Sequence, residues 1–168
     1  MFISKSKQII FVAIPKTGTR SVHRLFKRSL DGDMLRDHMW DVPEQYQSFY
    51  KFTTVRDPYA RTVSAYVSTM FRPSRKKSLT SFFRYRKDLE LNNSDYISFN
   101  RYLDLIKEYP RESPKKRALV TSRSQIGYLS KTKFDKIIKM ENLSNELLNI
   151  KRMFNVRDGK PIPNRNIT

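Results

Sequence analysis

Apolar positions along this chain fall into short runs and helical stripes that repeat in order. Residues 8–14, Gln8-Ile9-Ile10-Phe11-Val12-Ala13-Ile14, form a β-branched and aromatic run too short for a helix. A run apolar on both faces predicts a central parallel strand. Pro15 ends it, residues 16–19 predict a tight turn, and residues 21–29 place Val22, Leu25 and Phe26 on one helical face. The pattern then recurs, with a strand over residues 49–55, a turn at Arg56-Asp57-Pro58 and a helix over residues 59–70 with Val63, Tyr66 and Val67 on one side. Two strand-turn-helix units imply parallel pairing, and Pro58 suits a first helical turn because its missing N–H has no partner there.

The rest of the chain alternates similarly. Residues 71–77 read as a basic surface excursion, residues 79–86 as a helix, and residues 99–109 as a helix with Phe99, Tyr102, Leu103 and Ile106 on one face. A third short strand is expected over residues 136–140, and a helix over residues 144–154 burying Leu147, Leu148, Ile150 and Phe154. Residues 158–168 are rich in Pro and Asn and read as irregular. The expected class is α/β: one domain over residues 1–168, with a central, mostly parallel sheet flanked by helices.

Charge narrows the partners. Lys and Arg number 34 against 16 Asp and Glu, giving a formal charge of +18, so the ligands are expected to be anionic, without the sign alone separating nucleotide, glycan, nucleic acid or lipid. The absence of cysteine removes disulfides, thiolate catalysis and Cys-based zinc sites. No apolar stretch approaches the ~20 residues of a membrane span and no secretory leader is evident, so a cytoplasmic protein is expected.

The first loop has chemistry of its own. A loop leaving a buried strand for a helix points backbone N–H groups and the positive end of the helix dipole at one spot, which attracts phosphate or sulfate. Lys16 adds a point charge, Thr17, Thr19 and Ser21 add hydroxyls, and Gly18 lets the backbone approach the anion. The lysine precedes the glycine, unlike the Gly-x-x-x-x-Gly-Lys-Ser/Thr loop of nucleotide triphosphatases. The plain alternative is a surface loop whose hydroxyls merely cap the helix. At the second turn, Arg56 and Ser64 are placed to converge on a second anion near the carboxyl edge of the sheet, against the alternative of an amphipathic helix with solvated arginines.

The two segments together carry a resemblance. Residues 11–21, with Pro15-Lys16-Thr17-Gly18-Thr19-Arg20-Ser21, resemble the 5′-phosphosulfate loop of the sulfotransferase superfamily, especially its carbohydrate sulfotransferase, or family 2, branch. Residues 56–66, Arg-Asp-Pro-x-x-Arg-x-x-Ser-x-Tyr, resemble the family's 3′-phosphate segment. Gln125-x-x-Tyr128-Leu129 and the strand ending Met140-Glu141-Asn142-Leu143 resemble its later segments.

The resemblance implies a P-loop-like, three-layer fold. It also implies 3′-phosphoadenosine-5′-phosphosulfate (PAPS) as donor, 3′,5′-bisphosphoadenosine (PAP) as product, no metal, and an acceptor hydroxyl on a carbohydrate, anionic in keeping with the charge. Lys16 would contact the sulfuryl-bearing phosphate and act in catalysis, with Thr17, Gly18, Thr19, Arg20 and Ser21 around it and Arg56 and Ser64 on the 3′-phosphate. His38 would be the base, with Asp37, Asp41 or Glu44 as substitutes, while His23, on the first helix, reads as structural or ligand-adjacent. Arg123 and Gln125 are candidates for the pocket wall, and Glu141 and Asn142 for fixing a strand-to-helix turn. The family usually continues past Asn166-Ile167-Thr168 into a helical tail, so the chain is expected to be a compact or shortened version. The competing readings are a nucleotide kinase and a non-catalytic polyanion-binding module.

Overall fold

The computed structural model describes residues 1–35, 41–70, 97–108 and 124–156. The elements are strands β1 (Phe2–Ser4), β2 (Ile9–Val12), β3 (Asp33–Met34), β4 (Tyr50–Val55) and β5 (Lys136–Lys139), and helices α1 (Thr19–Ser29), α2 (Pro58–Met70), α3 (Phe99–Glu108), α4 (Ile126–Leu129) and α5 (Leu143–Met153). Short 3-10 turns occupy Glu44–Tyr46 and Met140–Asn142. The chain divides into two compact units, one comprising Met1–Asp57 and Ser124–Thr168, the other Pro58–Arg123.

The first unit holds a five-stranded mixed sheet in the order β3-β1-β2-β4-β5. β2 pairs parallel with β4, and β4 parallel with β5, whereas β1 is antiparallel to both β2 and β3. The two parallel pairings run through the strands that the apolar runs mark. β1 and β3, with three and two residues, are too short to show an alternating pattern, which is why no periodicity announces them.

β2 is buried on both faces, and its alternation feeds two cores. Ile9 and Phe11 join Phe2, Phe52 and Ile138 beneath Val22, Leu25 and Phe26 of α1 and Leu143, Leu147 and Ile150 of α5. Ile10 and Val12 join Met1, Ile3 and Val42 on the opposite face, with Tyr46, Phe49 and Phe134 packed against them. The register sets Phe2 opposite Phe11 and Phe11 opposite Phe52, so three rings line up across three strands, with centroids 6.0 and 5.1 Å apart. Phe26 from α1 closes the cluster at 6.1 Å from Phe52, and His23 stacks on Phe2 at 4.4 Å, a packing role for that imidazole. Such aromatic pairs contribute about 0.5–1.5 kcal/mol each beyond the area they bury.

In the second unit, Ala65 of α2 packs with Tyr102 and Leu105 of α3, flanked by Tyr66, Ile97, Phe99 and Ile106. The Tyr66 hydroxyl donates to the Ile97 carbonyl at 2.8 Å. Val63 and Val67, expected on the packed side of α2, are 47% and 39% exposed, and Arg61 and Ala65 are buried instead. A face of small and long residues carries no apolar signature, so the valines misled. On α3 Leu105 is buried where Leu103 was expected, and on α5 Leu148 is exposed while Leu143 is inside, because leucines stand on more than one face of each helix and periodicity alone does not choose between them. The helix expected over residues 79–86 lies outside the described residues.

Phe52 is the ring on which the aromatic row and α1 meet. Phe52→Ala is expected to lower unfolding free energy by about 3–5 kcal/mol, against under about 0.5 kcal/mol for Val63→Ala, as read by urea denaturation.

Candidate functional site

Because β2, β4 and β5 run parallel, residues 13–18, 56–57 and 140–142 all leave the sheet at its carboxyl edge. Open parallel sheets place their ligands at that edge. The first of these loops is bent by its backbone: Lys16 has φ 69° and Gly18 φ 84°, with Thr17 between them on the ordinary side. Left-handed φ on a lysine costs about 1 kcal/mol and persists only where the surroundings impose it. Backbone whose φ changes sign from residue to residue can turn successive N–H groups toward one point, as anion-binding loops do. Gly18 is also the N-cap of α1 and supplies no side-chain acceptor, and the first turn of α1 holds no acidic residue. The positive end of that helix is therefore not neutralised by a carboxylate on its own first turn.

The loop's hydroxyls point inward. Thr17 and Thr19 both donate to the Ile14 carbonyl, at 2.8 and 3.0 Å. Thr17 Oγ1 also lies 2.7 Å from Thr54 Oγ1; since the Thr17 proton is spent on Ile14, Thr54 is the donor there. Thr17 and Thr54 are fully buried, so this pair fastens the loop to the end of β4 in a setting that water does not reach. What Thr17 and Thr19 can offer an anion is thus their backbone N–H rather than the hydroxyl donors expected from sequence. Thr53, next along β4, donates to the Val12 carbonyl at 2.7 Å, a second tie between the ends of β2 and β4.

A third wall comes from the turn after β5. A Cβ on Gly18 would stand 2.8 Å from Leu143 Cδ2, so the missing side chain admits close approach of α5 as well as positive φ. Asn142 is at the N-cap of α5 but its side chain makes no capping bond, contrary to the expected capping role, and the fit of Leu143 beneath Gly18 holds that junction instead.

Arg56 lies one residue past the end of β4, half-buried. Its backbone N–H donates to Gln125 Oε1 at 3.0 Å, and Gln125 Nε2 donates to its carbonyl at 2.8 Å. Gln125, read from sequence as a candidate for the pocket wall, thus uses its amide on the backbone of Arg56. Nothing in the sequence signals this pairing, because 69 residues separate the partners.

Lys16, Thr17, Gly18, Thr19, Arg20, Ser21 and Arg56 are all in the first unit, with Arg20 exposed and Ser21 buried. Ser64 belongs to the second unit, on α2. His38, Asp37 and Arg123 lie outside the described residues, and the two substitute bases, Asp41 and Glu44, are exposed. Among the described residues no group of three or more His, Asp or Glu is arranged to hold a metal ion, and no helix is long and apolar enough to cross a membrane.

The hydroxyl ties and the glycine together set the loop's shape. Gly18→Ala is expected to cost about 1–3 kcal/mol through forced φ and the encounter with Leu143, and Thr17→Val about 1–3 kcal/mol by stranding the buried Thr54 hydroxyl, while the Ile14 carbonyl keeps the Thr19 hydroxyl. Thermal unfolding of both variants measures this.

Comparison with known families gives a match over residues 1–168 to the model described as Sulfotransferase family. Comparison with curated proteins and with solved structures gives no match. The match spans every segment that meets at the sheet edge, and the chain belongs to the sulfotransferase family, in its family 2 branch.

Proposed function

We propose that the chain transfers a sulfuryl group from PAPS to an acceptor hydroxyl on a carbohydrate, through a P-loop-like arrangement of β2, the 13–18 loop and α1. The observation that carries the reading is the loop itself. Left-handed φ at Lys16 and Gly18, at the start of a helix without a first-turn carboxylate, suits a bound 5′-phosphosulfate. When bound, the donor supplies an activated sulfuryl group attached to its 5′-phosphate.

In this reading the backbone N–H groups of the loop orient the 5′ end, and Lys16 Nζ offsets negative charge at its bridging oxygen. Arg56, with Ser64 from the same sequence motif, takes the 3′-phosphate through charge-assisted hydrogen bonds. His38 accepts the proton of the acceptor hydroxyl, a task suited to an imidazole with a pKa near neutrality. Lysine and backbone donors suffice without a divalent ion, because a sulfuryl group carries less charge than a phosphoryl group. The net charge of +18 favours an acceptor that is itself anionic.

Nucleotide selectivity tests the binding half. PAP is expected to raise the melting temperature more than AMP or ATP does, and Arg56→Ala to weaken PAP binding by about 2 kcal/mol or more. Equal shifts from PAP and AMP would remove the 3′-phosphate site from the reading.

Turnover tests the chemical half, with labelled donor and a panel of glycans. Lys16→Ala should lower transfer far more than PAP binding. His38→Ala should lower turnover by roughly 10²–10⁴-fold at nearly unchanged nucleotide affinity, whereas loss in Asp41→Ala or Glu44→Ala alone would assign the base to a carboxylate.

A further inference from the structure

Arg56 stands where a strand runs out of partners. The last registered pair between β4 and β5 is Val55 with Lys139, and that between β2 and β4 is Val12 with Thr53. The N–H and C=O of Arg56 therefore fall beyond both registered ladders, at the residue whose direction decides where a guanidinium points. The amide of Gln125 replaces the missing strand, accepting from the Arg56 N–H at 3.0 Å and donating to its carbonyl at 2.8 Å. A side-chain amide accepts at its oxygen and donates from its nitrogen, which a carboxylate, an ammonium or a guanidinium group cannot do.

The clamp has a rigid base. The Gln125 carbonyl accepts from the N–H groups of Tyr128 and Leu129 at 3.0 and 3.1 Å, and the Tyr128 side chain is 1% exposed, so α4 is anchored in the unit that holds β4. Ile126 and Gly127 face outward, with nothing within 4 Å of where a Gly127 Cβ would stand, so this turn packs inward chiefly through Tyr128. A one-turn helix whose N-cap residue turns its side chain onto a foreign backbone is poorly explained by local helix stability, because that amide caps nothing in its own helix.

We infer that Gln125 is a positioning residue for nucleotide recognition: it fixes the backbone of Arg56 and thereby aims the guanidinium at the 3′-phosphate. This rests on the proposed reading of Arg56. The side chain of Gln125 does not itself touch the nucleotide, and its effect is confined to ligands carrying a phosphate at the 3′ position.

Calorimetric titration of the full chain with PAP and AMP tests this. Gln125→Met keeps the length and removes both hydrogen bonds; Gln125→Asn keeps the amide but shortens its reach, which guards against a variant that fails to fold. Both are expected to weaken PAP binding about tenfold, the scale of two lost hydrogen bonds, with AMP affinity unchanged. On an Arg56→Ala background Gln125→Met should cost nothing further, because the group it aims is gone. An equal loss for PAP and AMP would reduce Gln125 to a structural role and overturn the inference, as would an unchanged preference for PAP. A further loss of PAP affinity on the Arg56→Ala background would show direct contact with the ligand and also overturn it. Should the wild-type chain itself show no preference for PAP over AMP, it is the reading of Arg56 that falls.

Discussion

The buried Thr17 hydroxyl governs the geometry of the whole sheet edge. It donates to the Ile14 carbonyl and accepts from Thr54, joining the end of β2, the loop after it and the end of β4 at one fully enclosed point. Unsatisfied, any of these groups would cost about 1–3 kcal/mol in such surroundings, so the three hold one another in place. Positive φ at Lys16 and Gly18 is the price of that arrangement, and the loop tolerates it because both of its sides are fastened.

From this point the site grows outward through side chains that take hold of backbone. Thr53 ties β4 to Val12, Gln125 ties the residue after β4 to α4, and Gly18 lets α5 close beneath the loop. Each tie ends at the carboxyl edge where the three parallel strands stop. The charged residues proposed to meet the nucleotide, Lys16 and Arg56, thus stand on backbone already held in shape, so less ordering remains to oppose ligand binding. Beneath them the row of Phe2, Phe11, Phe52 and Phe26 gives the edge a stiff floor, since rings packed across strands resist the shear that would misalign two loops.

Membership of the sulfotransferase family is consistent with this economy of parts. Sulfuryl transfer asks the protein to hold anions and move one proton; in the proposed reading the first task falls to the loop N–H groups, Lys16 and Arg56. The second task falls, in the proposed reading, to a histidine in a segment outside the described residues.

Much of this was legible in the amino-acid order. The apolar runs at residues 8–14, 49–55 and 136–140, each followed by a turn and a helical stripe, marked the three parallel strands β2, β4 and β5, because local periodicity and turn chemistry act over a few residues. The lysine-threonine-glycine loop and the Arg56 motif carried the family for the same reason. What the tertiary structure alone decided were pairings between distant residues: Thr17 with Thr54, Gln125 with Arg56, Leu143 with Gly18, and the burial of Ala65 in place of Val63 and Val67. A hydroxyl looks the same in sequence whether it faces an anion or a carbonyl, and an amide the same whether it lines a pocket or clamps a strand. Which partner it takes is set by what the folded chain brings within about 3 Å: for Thr17 a carbonyl three residues back and a hydroxyl 37 residues on, and for Gln125 the backbone of a residue 69 positions away.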